Sequence, residues 1–235
     1  MAQHDHQHDH QHDHPQAETL EEQRALLSAD AWDERYAADH RIWSGRPNQR
    51  LVEQAADLVP GTALDVACGE GGDAIWLAEH GWRVTAVDVS SVALDRVAEH
   101  ARERGVEDRV ATQRYDALAD PRPVPGSTFD LVTVSFLHTP VEDFAAIYGG
   151  IADAVAPGGR LLVTAHHPDD VSSGVRRPHG HGMLFEPDRV LTALGVEGPD
   201  SPWEVEVADS PVREQQMPEG PMKVRDTVVR LRRAG

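Results

Sequence analysis

Cysteine, positive charge and long apolar runs are all scarce in this sequence. Cys68 is the only cysteine among 235 residues, which excludes a disulfide framework and a cysteine-based zinc site. No apolar run approaches the roughly 18 residues of a membrane span, so we expect a soluble, cytoplasmic protein. The formal net charge is −18. Because nucleic-acid binding needs clustered Lys and Arg, we expect no nucleic-acid partner. The negative charge also favours a small, neutral or cationic substrate, and the lack of a long apolar run predicts no membrane partner.

The N-terminal region divides into a tail and a helical segment. Residues 1–16 repeat His, Asp and Gln with hardly anything apolar to bury, which predicts a disordered tail. Its alternate His side chains can bind a divalent metal adventitiously, and we prefer this interpretation to a folded metal site. Residues 17–60 are predicted to form a helical cap, with Trp32 and Tyr36 on one helix face.

The chain is organised around a strand, a glycine turn and a helix in residues 62–81, TALDVACGEGGDAIWLAEHG. The apolar strand carries one acid, Asp65, and opens into a glycine-rich turn. Glycines let a ligand approach the backbone closely, and the first turn of the following helix offers free N–H groups. This pattern predicts a nucleotide-type site at the carboxyl end of a parallel strand.

Two classes of ligand fit the glycine turn. Residues 69–74 match the dinucleotide fingerprint G-x-G-x-x-A, which keeps a nicotinamide-dependent oxidoreductase as an alternative. However, Asp65 and Glu70 would repel a pyrophosphate, whereas they would attract a ligand with an ammonium and a sulfonium. A non-enzymatic metal-binding protein that uses the His-rich tail is a third hypothesis, although it would leave the glycine turn without a role.

Strands and helices alternate beyond the turn, and this predicts an α/β fold with right-handed crossovers. A strand ends on Asp88, about 20 residues past the turn, where an acid can accept both hydroxyls of a ribose. Thr139–Glu142 reads as a capping box with Pro140 at the first helical position. The last two predicted strands, Trp203–Ala208 and Val224–Leu231, are joined only by a loop. We therefore expect a mostly parallel seven-stranded sheet that ends in an antiparallel hairpin, with helices on both faces.

In order and spacing these features resemble the class I S-adenosylmethionine-dependent methyltransferases. The resemblance is carried by residues 65–71, Asp88, Asp116-Ala117, FDLVTVSF and APGGRLLV. Ala67 stands where the family's first motif has a glycine. The segment WDERYAADHRIWSGRPN is similar to small-molecule enzymes of the tellurite-resistance and thiopurine S-methyltransferase type. The resemblance implies a Rossmann-like class I methyltransferase fold, with residues 61–235 binding S-adenosyl-L-methionine. It also implies methyl transfer to a thiol or chalcogen, with O- and N-methylation left open.

The resemblance further implies which residues contact the cofactor. Asp65 would reach its amino group and Asp88 its ribose, and Asp116 would take the adenine amino group. The alternatives are a turn partner for Asp65 and an Asx-turn for Asp116. The full set of implied cofactor-binding residues is Trp43, Asp65, Ala67, Cys68, Gly69, Gly71, Asp88, Val89, Asp116, Ala117 and Ser135.

His138 is the candidate catalytic residue, because it follows the strand that should end at the transferred methyl group. It could act as a general base, since the pKa of histidine lies near neutrality. The alternative is a solvated or helix-capping residue. A second group of histidines, at positions 166, 167, 179 and 181, could bind a metal, but without an acid or Cys at ligand-like spacing a polar substrate loop is preferred.

Overall fold

The structure is a computed structural model that describes residues 19–39, 41–175, 181–217 and 220–235. The predicted tail, residues 1–16, and His179 lie outside the described residues. The strands are β1 (Thr62–Val66), β2 (Arg83–Asp88), β3 (Val110–Arg114), β4 (Phe129–Ser135), β5 (Val155–His166), β6 (Trp203–Asp209), β7 (Val212–Met217) and β8 (Gly220–Arg233). The helices are α1 (Leu20–Ala25), α2 (Ala29–Ala38), α3 (Gln49–Ala55), α4 (Gly72–Glu79), α5 (Ser91–Glu103), α6 (Val141–Ala152), α7 (Asp169–Ser172) and α8 (Pro187–Ala193).

Seven strands form the main path of the sheet in the order β3-β2-β1-β4-β5-β8-β6. Strands β1 to β5 are parallel, and β8 runs antiparallel to both β5 and β6. This confirms the mostly parallel sheet with an antiparallel end. The prediction missed β7, which pairs only with the first half of β8. Its sequence, VREQQM, has no apolar face that would predict a strand. Backbone pairing with β8, rather than burial of side chains, keeps these residues extended.

Helices cover both faces of the sheet, as predicted. Successive residues of β1 point to opposite sides, so Ala63 and Leu64 belong to two different cores. The first core packs β1, β4 and β5 against α6 and α8, with Phe144 and Tyr148 among its large side chains. The second packs the other face against α3, α4 and α5. Both cores leave the carboxyl ends of the parallel strands uncovered by these helices.

The N-terminal helices cross this carboxyl edge. At one side, Arg24 of α1 donates two hydrogen bonds to the carboxylate of Asp143 in α6, at 2.8 and 2.6 Å. At the other side, α2 packs on α5, and Asp33 accepts hydrogen bonds from the hydroxyls of Ser90 and Ser91. The N-terminal segment is therefore attached on both sides of the place where β1, β2 and β4 end.

The helix after β4 does not begin as predicted. Pro140 is the N-cap residue of α6, no side chain caps the helix, and the first helical residue is Val141. Thr139 is fully buried, and its hydroxyl has no hydrogen-bond partner among the described residues. The predicted capping box at Thr139 is therefore wrong, because the buried Thr139 hydroxyl accepts no backbone N–H of the helix and Pro140 takes the N-cap position.

Candidate functional site

A cavity of ≈ 1310 Å³ lies at the carboxyl ends of β1, β2 and β4, beneath the N-terminal segment. Small-molecule sites usually measure about 300–1,000 Å³, so this cavity has room for two ligands. Of the residues proposed from the sequence, all except Gly71 line it: Trp43, Asp65, Ala67, Cys68, Gly69, Asp88, Val89, Asp116, Ala117, Ser135 and His138. Gly71 instead packs against α5, where an added Cβ would lie 2.9 Å from a methyl carbon of Val97.

The turn after β1 has an unusual backbone. Ala67 has φ 55°, and Gly69 and Gly71 also have positive φ. In the described part of the chain, Ala67 and Phe136 are the non-glycine residues with positive φ, and both directly follow strands that end at the cavity. The left-handed conformation costs an L-residue about 1–2 kcal/mol. Ala67, which stands where the family's first motif has a glycine, is therefore strained by this conformation.

Asp88 holds the glycine turn to the end of β2. Its two carboxylate oxygens accept the N–H groups of Gly69 and Ser90, each at 2.9 Å. The side chain is only 7% exposed, and burial raises its pKa although the backbone hydrogen bonds oppose this. A carboxylate has about four lone-pair sites. Both oxygens can therefore accept a further hydrogen bond from a ligand.

Asp65 has a carboxylate oxygen that receives no hydrogen bond from the described residues. It is fully buried in β1, and its Oδ2 has no hydrogen-bond partner among the described residues. Burial raises its pKa well above the ordinary value, and the nearby Asp73 and Asp88 raise it further. A cationic ligand group would offset both effects. This lone buried oxygen is the feature of the site that most clearly calls for a ligand donor.

Asp73, which the sequence reading missed, faces the same space from the first turn of α4. It accepts the backbone N–H of Asn48 at 2.6 Å and the hydroxyl of Ser135 at 2.8 Å. Its pKa is raised, chiefly by burial. Ser135 thus lines the cavity as predicted, but its hydroxyl donates to Asp73. The acid at the start of a helix that follows the glycine turn was the available sequence signal.

Glu70 does not add negative charge to the cavity as the sequence argument assumed. Arg96 of α5 lies 2.6 Å from its carboxylate and also donates to the carbonyls of Tyr36 and Asp39. Glu70 further accepts the backbone N–H of Trp43 at 2.8 Å. The ion pair therefore neutralises Glu70 and fixes the N-terminal segment to the glycine turn. The repulsion of a pyrophosphate falls to Asp65, Asp73 and Asp88.

Trp43 and Tyr36 lie against the glycine turn. The indole N–H of Trp43 donates to the Tyr36 hydroxyl at 3.1 Å. A Cβ added to Gly69 would lie 3.1 Å from that hydroxyl and 3.3 Å from the indole nitrogen. Tyr36 is buried, which raises its pKa, while Trp43 remains 46% exposed. Gly69 is therefore required both for its positive φ and for the close approach of these two rings.

Cys68 and Asp116 also line the cavity. Burial raises the pKa of the Cys68 thiol, and the nearby acids Asp88 and Asp65 raise it further. This thiol is therefore a poor nucleophile. Asp116 accepts the N–H of Leu118 at 3.0 Å, which is the Asx-turn alternative, and it also lines the cavity.

His138 and His166 face each other at the far side of the cavity. The backbone N–H of His166 donates to Nε2 of His138 at 3.2 Å, and the two rings stack with their centres 5.2 Å apart. The ring of Phe136 lies 4.4 Å from that of His166. His138 is 1% exposed and does not cap α6, so the solvated and capping alternatives are both wrong. The Nε2 contact requires a lone pair there, which puts the proton of a neutral His138 on Nδ1.

Nδ1 of His167 accepts the N–H of Asp169 at 3.1 Å. Within the described ranges there is no group of three His, Cys, Asp or Glu residues that could hold a metal ion. A search of the same residues finds no helix with the length and hydropathy of a membrane span.

Residues 63–159 match a family model described as a methyltransferase domain. The demethylmenaquinone methyltransferase of Thermus thermophilus is 34% identical over 125 residues, which cover 52% of this chain and 55% of that protein. The glycine N-methyltransferase of Rattus norvegicus is 32% identical over 186 residues, which cover 69% of this chain and 64% of the relative. The chain thus spans 55% and 64% of the lengths of these two relatives.

The fold has solved counterparts. The magnesium protoporphyrin IX methyltransferase of Synechocystis PCC 6803, determined with bound SAH, superposes with a TM-score of 0.62 at 18% identity. The match covers 90% of this chain and 98% of that one. This likeness shows that the fold is that of solved methyltransferases. The domain match, together with the glycine turn and the acids Asp65 and Asp88 at the strand ends, identifies residues 63–159 as a class I S-adenosylmethionine-dependent methyltransferase domain.

Proposed function

We propose that this protein transfers a methyl group from S-adenosylmethionine to a small-molecule nucleophile. The observation that carries the proposal is the buried Asp65 oxygen that lacks a donor, at the end of β1 beside a left-handed glycine turn. An ammonium group would satisfy this oxygen and offset the acids around it. A pyrophosphate would instead meet three carboxylates, which disfavours a nicotinamide cofactor.

The cavity residues suit the separate parts of S-adenosylmethionine. Asp65 would take the amino group, and Ala67, Cys68 and Gly69 would lie beside the methionine part. Asp88 would accept the ribose hydroxyls on its free lone pairs. The adenine would lie between Val89 and the Asp116-Ala117 segment. When bound, the cofactor supplies a methyl group on a sulfonium, which is already a good leaving group.

The chain's own contribution is alignment and exclusion of water. Glu70 and Arg96 hold Trp43 against the turn, and Arg24 and Asp143 join α1 to α6, which fixes the start of the N-terminal segment. We further propose that His138 serves the acceptor. Because Nε2 already accepts the His166 N–H, uptake of a proton there would require loss of that contact. This geometry supports a neutral, positioning role for His138 over a general base.

The acceptor is proposed to be a small soft nucleophile, a thiol or chalcogen, with O- and N-methylation as alternatives. The names of the relatives point to a quinone precursor in one case and to glycine in the other, so they do not select an acceptor atom. Because Nε2 of His138 is engaged by the His166 N–H and burial raises the pKa of the Cys68 thiol, the site favours acceptors that are nucleophilic at neutral pH without a protein base, such as thiolates.

The proposal predicts a specific product. The purified protein is incubated with S-adenosylmethionine and a panel of thiols, phenols and amines, and mass spectrometry follows S-adenosylhomocysteine and the methylated acceptor. We expect both products in equal amounts with at least one acceptor class, and we expect thiols to react best. Reduction or oxidation of a panel compound with NADH or NAD, without any methylated product, would overturn the proposal.

A further inference from the structure

Arg35 of α2 is a cavity-lining guanidinium without an acid partner in the described part of the chain. The cavity lining holds two further arginines: Arg213 is paired with Asp226, and Arg46 is exposed to solvent, whereas Arg35 is partly buried. Arg35 instead lies between two indoles. Its guanidinium carbon is 4.9 Å from the ring centre of Trp32 and 5.8 Å from that of Trp43. Burial lowers the pKa of Arg35, as expected for a cation that has lost part of its water.

Ring stacking does not use the hydrogen-bond donors of a guanidinium. A cation–π contact engages the face of the group, whereas its five N–H donors point outward in the plane. A partly buried cation whose donors lack an anion is unfavourable unless a ligand supplies one. The flat fork of donors matches the paired oxygens of a carboxylate or a phosphate, and of these two groups S-adenosylmethionine carries only a carboxylate.

Arg35 lies close to the part of the cavity where the methionine part of the cofactor is expected. Trp43 contacts the glycine turn through its indole nitrogen and bears the guanidinium of Arg35 over its ring. Arg35 is therefore one indole away from the turn where the methionine part of the cofactor is expected. Leu27 and Trp32 line the cavity beside it. Nothing assigned so far would bind a carboxylate, because Asp65, Asp73 and Asp88 would repel one.

We propose that Arg35 is the carboxylate-binding subsite of this cavity. The inference rests on the proposed function, which supplies two candidate sources: the carboxylate of the cofactor's methionine part, or a carboxylate on the acceptor. Both would be held by paired N–H donors of Arg35, with Trp32 and Trp43 keeping the guanidinium plane fixed.

Calorimetry distinguishes the cofactor source. S-adenosylhomocysteine carries the carboxylate, whereas 5′-methylthioadenosine lacks the amino-acid part. If the carboxylate is the cofactor's, Arg35→Gln weakens S-adenosylhomocysteine binding about tenfold to hundredfold and leaves 5′-methylthioadenosine within about twofold. Arg35→Lys, which keeps the charge but loses the fork, gives an intermediate loss. The matched control is Arg41→Gln, an exposed arginine outside the cavity lining, for which we expect no change.

Equilibrium binding of a probe acceptor distinguishes the other source. With S-adenosylhomocysteine bound, the wild type is titrated with 2-mercaptobenzoate and with its methyl ester. A preference for the free carboxylate of about tenfold that disappears in Arg35→Gln assigns Arg35 to the acceptor. The subsite is overturned if Arg35→Gln, folded as judged by its melting temperature, leaves all these affinities within twofold. If the wild type binds neither adenosine compound, the proposed function fails before the subsite is tested.

Discussion

Replacing Asp88 with alanine is expected to weaken S-adenosylhomocysteine binding by about 2–4 kcal/mol, at roughly 1.5–3 kcal/mol for each of two charge-assisted ribose hydrogen bonds with some overlap. The carboxylate lies at the tip of β2 and is almost completely buried. It also accepts the N–H groups of Gly69 and Ser90. Its loss removes ligand contacts and loosens the glycine turn together, so the effect on binding should exceed the effect on stability. Isothermal titration calorimetry measures the change in affinity.

Asp33→Ala is the matched control for Asp88→Ala. Asp33 of α2 is a second carboxylate that reaches the start of α5, where it accepts hydrogen bonds from the hydroxyls of Ser90 and Ser91, but it does not line the cavity. Its removal should lower the free energy of unfolding by about 1 kcal/mol, as the loss of a helix cap does, with the ligand affinity nearly intact. Ligand binding by Asp88→Ala within about threefold of wild type would contradict the ribose-binding role.

His138→Ala is expected to lower kcat about 10²-fold while the affinity for S-adenosylhomocysteine stays within about twofold. The ring is buried beside His166 and Phe136, so its removal leaves space in which the acceptor can shift. His138→Gln can place an oxygen where Nε2 accepted the His166 N–H, and it has no titratable group. We therefore expect His138→Gln to recover most of the lost turnover. The pH profile of kcat should be similar in wild type and in His138→Gln.

A general base would behave differently in the same experiment. Both variants would then lose about 10²–10⁴ in turnover, and the loss would shrink as the pH rises toward the acceptor's own pKa. That result would show that His138 gives up the His166 contact to take a proton. Loss of cofactor binding in either variant would contradict the assignment of His138 to the acceptor.

The fold was accessible from the sequence because its strands are strongly patterned. The apolar runs of β1 and β4 and the glycines after β1 are local signals, and they locate the carboxyl edge where the cavity lies. β7 has no such signal, since its residues VREQQM pair with β8 without an apolar face. The start of α6 was mispredicted because Thr139 is buried by its tertiary surroundings rather than used as a cap.

The site was predictable in its residues but not in their pairing. Asp65, Asp88 and His138 lie on one cavity because parallel strands end at one edge. However, the ion pair of Glu70 with Arg96 and the hydrogen bond of Ser135 to Asp73 join residues far apart in the chain. Such pairs decide which acids keep their charge for a ligand. The sequence lists the charges of a site, whereas only the three-dimensional structure shows which are already neutralised.

The most direct test of the central claim is a calorimetric titration of the wild-type protein with S-adenosylhomocysteine and, separately, with NAD. Asp65 has its pKa raised by burial and by its acidic neighbours, so binding of an ammonium group should favour its ionised form. We expect S-adenosylhomocysteine to bind, with an affinity that falls as the pH drops and Asp65 takes up a proton, and we expect no binding of NAD. Tight binding of NAD with no binding of S-adenosylhomocysteine would contradict the account.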